Sequence, residues 1–303
     1  MLFFQLIEAL GGLGLFVLGM KTMADGLQRL AGGGVRRAIE KVTGNRLSSA
    51  LTGGCLSTLL QSSGAASILI IGFVNAGLLS LYQALGMLIG TGLGTTVAVQ
   101  FLAFKISFLA LPSIFLGVFL RFFTRRRRWT FFGEVLLGFG LLFFGLDIME
   151  SRFAALGECV YFQGYSSLLV NLRLAGVISG ALLAFLVQSG SVAVGIIIAL
   201  AASGTIGFEQ SAAMVLGEVL GTAGLAGIGA IGGTVTARRT VLFYGSCALV
   251  SVGIVLVFFP LFLRLVSLVT PGDASFLQKH GNPIAAGSLA PSSRTVVARA
   301  IAN

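Results

Sequence analysis

The chain has 303 residues, of which 56% are hydrophobic and 10% charged, and its formal net charge is +10. A water-soluble domain of this size cannot bury so large an apolar share, so a soluble globular fold is excluded. The basic residues fall in short segments beside apolar runs, a pattern set by membrane topology rather than by nucleic acid.

Residues 2–20 form the first run long enough to cross about 30 Å of hydrocarbon at about 1.5 Å per helical residue. The run has no basic segment ahead of it and leads into Lys21 without a small-residue cleavage site, so it reads as a retained span rather than a leader. Lys21, Arg29, Arg36, Arg37, Lys41 and Arg46 follow, and their charge places this region in the cytoplasm. Residues 52–79 are apolar but interrupted by Gln61-Ser62-Ser63-Gly64. This pattern predicts two half-helices meeting at a polar tip, a re-entrant hairpin that returns to the side it left. Residues 81–103 then cross outward, carrying Gly90-Thr91-Gly92-Leu93-Gly94-Thr95-Thr96. After an exterior loop at Lys105, residues 106–123 return to Arg121 and to Arg125, Arg126, Arg127 and Arg128.

The next run repeats the first. Gly12-Leu13-Gly14-Leu15-Phe16-Val17-Leu18-Gly19-Met20 returns as Gly138-Phe139-Gly140-Leu141-Leu142-Phe143-Phe144-Gly145-Leu146, an offset of 126. Gln61-Ser62 recurs as Gln188-Ser189, and Gly90, Leu93, Gly94 and Thr95 recur as Gly217, Leu220, Gly221 and Thr222, all at an offset of 127. Gly53/Gly180, Gly77/Gly204 and Gln83/Gln210 keep that offset without a gap. Apolar bias alone does not align rare Gln, Gly and Thr positions, so the chain is read as a duplication.

An odd number of crossings in the first copy makes the second start from the opposite side. Residues 131–149 run outward, the hairpin 179–205 enters from outside, 208–231 return to Arg238 and Arg239, and 241–269 leave again. The expected fold is all-α, with two inverted repeats at 1–128 and 129–270, each holding three spans and one hairpin. A polar tail, 271–303, completes the chain. Inverted repeats of broken helices are an architecture of secondary transporters, with the site near the midplane where the copies meet. The 43 glycines fit such helices, which approach closely and break where they line a cavity. Cys55, Cys159 and Cys247 have no paired spacing and read as small apolar residues.

The tips Gln61-Ser62-Ser63-Gly64 and Gln188-Ser189-Gly190-Ser191 carry the chemistry. A helix break frees backbone groups: N–H groups with serine hydroxyls suit an oxyanion, and carbonyls with Gln and Thr oxygens suit a dehydrated sodium ion. Buried Gln and Ser that merely join helices are the competing reading, which symmetric placement makes less tenable. The Gly-Thr segments and their partner Gly217-Glu218-Val219-Leu220-Gly221-Thr222-Ala223 allow either ion binding or close helix packing. Glu218 is an ionisable group inside a span. Its open roles are proton coupling, a cation ligand, or a pairing with arginine or water.

These motifs resemble the type II sodium/phosphate cotransporter family. Its members carry two Gln-Ser-Ser-Ser motifs in inverted repeats, each followed by Gly-Ala-Asn-Ile-Gly-Thr-Thr. The similarity runs from about Gly12 to Arg239 and includes Val74-Asn75-Ala76-Gly77. The resemblance implies sodium-driven phosphate transport across the cell inner (plasma) membrane. It points to phosphate at Ser62, Ser63, Gly64, Ser189, Gly190 and Ser191, and to sodium at Gln61, Thr95, Thr96, Gln188 and Thr222. Glu218 is the candidate coupling residue. The chain departs from the motifs at Gly64 and Gly190, which stand for serine, at Gly92 and Val219, which stand for asparagine, and at Ala223, which stands for threonine. Glu218 stands where the family has alanine. The implied partners are inorganic phosphate, sodium as coupling ion and the lipid bilayer, with no further cofactor; the sequence leaves a homo-oligomer open.

An enzyme is the rival class. A nucleophilic serine at a tip needs a base, but the single histidine, His280, lies in the tail and no lysine flanks either motif. A passive channel, a carrier of another small anion and a non-transporting subunit also remain open at this stage.

Overall fold

The computed structural model describes residues 2–31, 45–103, 107–157 and 173–269. Arg36, Arg37, Lys41, Lys105, Cys159, His280 and the tail 271–303 lie outside the described residues. Among those described, the secondary structure is helical: α1 Leu2–Ala31, α2 Arg46–Leu60, α3 Ser63–Asn75, α4 Leu81–Ala103, α5 Ala110–Phe123, α6 Arg127–Gly157, α7 Arg173–Val187, α8 Gly190–Ala202, α9 Phe208–Gly229, α10 Val235–Val257 and α11 Phe259–Val269. A single turn of 3-10 helix, Ser107–Leu109, precedes α5.

Four helices are long and apolar enough to span a bilayer, over Phe3–Leu30, Arg127–Ala155, Phe208–Gly229 and Val235–Val257. Their outer faces carry bare Phe, Leu, Ile and Val side chains, among them Phe3, Leu10, Leu242, Leu249 and Ile254. That distribution belongs to a multi-pass membrane protein, whose surface meets lipid rather than water.

Several boundaries differ from expectation, each for a local reason. Helix α1 continues through Lys21 and Arg29 to Ala31, so these bases belong to the helix and not to a following loop. Helix α2 begins at Arg46, six residues before the apolar stretch. Its early polar residues are accommodated because Ser49 Oγ donates to Asn45 O (3.1 Å) and Thr52 Oγ1 to Ser48 O (2.8 Å). The predicted single crossing 241–269 is two helices broken at Phe258. Pro260, two residues later, has no amide with which to continue α10, and its ring opposes the preceding turn.

The two hairpins superpose in sequence register. Helices α2 and α7 start and end 127 residues apart, as do α3 and α8. Gly77 and Gly204, at φ 71° and 76°, turn the chain out of each hairpin in the left-handed region that glycine enters freely. Close packing repeats as well. A β-carbon at Gly53 would strike the Met87 carbonyl and one at Gly180 the Met214 carbonyl; Gly90 faces Ala50 O as Gly217 faces Val177 O. Helix α2 thus lies against α4, and α7 against α9, at backbone contact.

Helices α1 and α6 form the other seam. Gly19 abuts Gly138 and Leu142, while Gly145 abuts Gly12 and Phe16. Under the 126-residue offset these contacts are reciprocal, and rising numbers in α1 meet falling numbers in α6, so the equivalent helices run antiparallel. An ion pair closes each end. Arg29 Nη1 donates to both Glu134 carboxylate oxygens (3.0 and 3.2 Å), and Arg152 Nε meets Glu8 Oε2 at 2.8 Å. Glu8 and Glu134 are themselves 126 apart. Phe16 reaches from this seam onto Gly195 of α8 and is fully buried in the main apolar cluster with Phe143, Met149 and Ile197.

Candidate ion-binding site

Each hairpin breaks at one residue. Gln61 (φ 50°) and Gln188 (φ 56°) are the non-glycine residues with positive φ among those described. The left-handed conformation costs an L-residue about 1–2 kcal/mol, and it turns the backbone sharply enough to start a new helix at once. Ser62 then caps α3, its hydroxyl accepting from Ala65 N–H (3.2 Å), and Ser189 caps α8, accepting from Val192 N–H (3.4 Å). The same tetrapeptide logic therefore builds both tips.

The caps leave donors free. Ala66 N–H and Ala193 N–H bond to the carbonyls of Ser62 and Ser189 (both 3.1 Å). Among the described residues, no hydrogen bond takes up the amides of Ser63, Gly64, Gly190 and Ser191. These are the orphan donors of two helix N-termini, each carrying the positive end of a helix dipole.

The two tips meet. A β-carbon at Gly64 would lie 3.2 Å from the Gln188 carbonyl oxygen and 2.7 Å from Leu225 Cδ1, and one at Gly190 would lie 2.9 Å from Ser63 Oγ. Ser63 and Gly190 are equivalent positions, so the chain touches its own repeat there. The buried hydroxyls of Ser63 and Ser191 at this junction have no hydrogen-bond partner among the described residues, nor has that of Ser57, which lies farther along α2 against Gly94. Buried hydroxyls are normally paired, and a cluster of unpaired ones around free amides marks a place suited to a ligand.

Helix α9 crosses both tips with one face. The Glu218 carboxyl presses on Gly190, Thr222 follows one turn on, and Leu225 reaches Gly64. Glu218 is 8% exposed, and its carboxyl makes no ion pair or hydrogen bond among the described residues. The Tyr244 phenol of α10 approaches the Thr91 and Ser67 hydroxyls and faces Glu218. Any side chain at position 190 would collide with the Glu218 carboxyl. The Glu218 carboxyl thus occupies the space that a side chain at position 190 would take.

The residues proposed for phosphate, Ser62, Ser63, Gly64, Ser189, Gly190 and Ser191, come together at this junction. Those proposed for sodium are less uniformly placed. Gln61 is buried, and Gln188 is exposed. Helix α4 is continuous through residues 90–96, not weakened there, because Gly90 and Gly94 are used for contact with Ala50 and Gly54 of α2. Thr95 Oγ1 donates to Gly92 O (2.8 Å), as does Thr96 Oγ1 (3.0 Å), and Thr96 is exposed. Thr222 Oγ1 is buried and donates to Glu218 O and Val219 O (both 3.1 Å). Thr58 Oγ1, which reaches Gly94 O at 3.3 Å, links this part of α4 to the turn below Gln61.

Sequence reasoning missed Ser57, Ser67 and Tyr244. The first two stand four residues before Gln61 and four after Ser63, so they share helix faces with the motif, a spacing that was available in the sequence.

No solved structure matches the chain. The uncharacterized protein YqeW of Bacillus subtilis is 28% identical over 268 residues, covering 86% of this chain and 84% of that protein. Escherichia coli K12 has a relative named "Putative inorganic phosphate export protein YjbB", 27% identical over 237 residues and 78% of this chain. The corresponding Salmonella typhimurium protein is 28% identical over 238 residues. The chain spans 44% of the length of either YjbB protein. Residues 15–151 match the family described as Na+/Pi-cotransporter, a stretch that holds the second half of α1, the first tip and most of α6. Over that stretch the chain is similar to the Na+/Pi-cotransporter family, which is a transporter family and not an enzyme family.

Proposed function

We propose that this protein carries inorganic phosphate across the plasma (inner) membrane together with sodium, by alternating access. The observation that carries this reading is the meeting of two helix N-termini, with four free amides and the unpaired, buried hydroxyls of Ser63 and Ser191. Tetrahedral oxyanions are recognised by such converging donors. Sodium would take the opposite pole of each break, where Gln61, Gln188 and the last carbonyls of α2 and α7 offer hard oxygens, with Thr95, Thr96 and Thr222 on the adjoining helices. The antiparallel packing of α1 against α6 supports an inverted arrangement of the two copies, in which the hairpins move against this seam. Among the described residues no histidine or lysine stands at either tip, and the similarity to a transporter family supports a carrier over a hydrolase.

The test is uptake of labelled phosphate into proteoliposomes holding the purified full chain, with and without an imposed sodium gradient. The expected result is accumulation driven by sodium. Hydrogen bonds to charged groups contribute about 1.5–3 kcal/mol each, so Ser63→Ala with Ser191→Ala should weaken phosphate uptake about tenfold or more. Gradient-insensitive leakage would indicate a channel, and absence of flux a non-transporting subunit. The export in the YjbB name favours a second reading of direction, net outward flow, read by loading the vesicles with phosphate and reversing the gradient.

A further inference from the structure

The amides and serines of the junction are hydrogen-bond donors, and donors alone do not distinguish phosphate from sulfate, since both offer oxygen acceptors in a tetrahedron. Glu218 breaks that equivalence. Its carboxyl is pressed on Gly190 at the N-terminus of α8. Ser63 Oγ, buried and unpartnered, approaches the same glycine from the other tip. A cation held there would face the positive end of α8, so the position is an anion's and the carboxyl occupies its edge.

The surroundings leave the carboxyl without a basic counter-charge. Helices α3, α4 and α8 carry no acidic or basic residue, and Arg173 of α7 lies at the outer end of its hairpin. Helix α9 itself adds Glu209 in its first turn, more than two turns from Glu218. On α10, Arg238 and Arg239 lie near its start, and Tyr244 is the titratable group that faces Glu218.

We propose that Glu218 shares a proton with the bound anion, so that the junction selects a protonated oxyanion, phosphate or arsenate, and rejects sulfate. An ionised carboxylate only accepts hydrogen bonds. Phosphate near neutral pH keeps at least one O–H to donate to it, whereas sulfate has none and meets the carboxylate as one negative charge meets another. The repulsive element is what creates the specificity. A site that hydrogen-bonds a substrate O–H rejects an analogue without it by orders of magnitude.

This inference rests on the phosphate-carrier reading, and one experiment separates them. Uptake of labelled phosphate and of labelled sulfate is compared in proteoliposomes for the native chain, Glu218→Gln and Glu218→Ala. The native chain should take up phosphate and exclude sulfate. Glu218→Gln, whose amide donates to sulfate, should narrow the phosphate-to-sulfate ratio about tenfold or more, with Glu218→Ala between the two. Unchanged selectivity in both variants would overturn the inference and leave the carrier standing, as would a change confined to sodium dependence, which would make Glu218 a cation ligand. Equal uptake of both anions by the native chain would overturn it too. Loss of all flux in both folded variants would also count against it, since a selector is not needed for entry. A native chain that moves neither anion would bring down the carrier reading itself.

Discussion

Gln61 and Gln188 hold a conformation that glycine would enter at no steric cost, and both keep a long polar side chain there. Strain of about 1–3 kcal/mol at a matched pair of sites is retained where the side chain has a task. Gln61→Gly and Gln188→Gly keep the turn and remove only the side chain. Each variant should melt in detergent at or above the native temperature while losing sodium-stimulated phosphate uptake; uptake at the native level in both would remove the glutamines from the cation site. At this scale the sequence was readable wherever a rare polar residue interrupted an apolar run, as at Gln61-Ser62. It was mute at Tyr244, because a lone hydroxyl in an apolar helix looks like packing until the partner helices are in place, whereas Ser57 and Ser67 were signalled only by their four-residue spacing from the motif. Glu218 announced itself as a buried acid, but its neighbour Gly190 is 28 positions earlier and is brought to it only by the path of α9 across the second tip.

At the level of elements, the hairpins were legible because each is two short apolar runs about one polar tip. The start of the first was not, since Ser48, Ser49 and Thr52 hide a helix in which these hydroxyls bond back onto carbonyls three or four residues earlier. The break before α11 was overlooked because apolar continuity outweighed Pro260. The Gly-rich stretch of α4 left ion binding and close packing open, and its glycines let α2 approach to backbone contact. The proposed inverted topology makes a prediction about these elements. Tyr82 and Glu209 are equivalent, exposed and in the first turns of α4 and α9. In a chain with Cys55, Cys159 and Cys247 replaced by serine, a membrane-impermeant maleimide should label Tyr82→Cys from the cytoplasmic side and Glu209→Cys from the outside. Labelling of both from one side would exclude the inversion.

At the scale of the molecule, contacts among the described residues recur reciprocally at the 126- and 127-residue offsets: Gly19 and Gly145 on the α1–α6 seam, Ser63 and Gly190 at the tips. Reciprocity is what two-state motion of an alternating-access carrier needs, because exchanging the conformations of the copies would exchange the open side. The symmetry is also broken in a useful place. Asn75, at the end of the first hairpin, accepts from Thr234 N–H (2.9 Å) and so ties that hairpin to the start of α10. Its counterpart, Ala202, has no such group; the second hairpin is instead anchored by Thr205 Oγ1 on Phe153 O (3.1 Å), at the end of α6. The central claim is that a tetrahedral anion is held between the two half-helix N-termini, and anomalous scattering from crystals grown with arsenate tests it most directly. The account predicts an arsenic peak within hydrogen-bonding reach of the Ser63, Gly64, Gly190 and Ser191 amides. An arsenic peak elsewhere in the membrane region, with these tips apart or bonded only to each other, would contradict it.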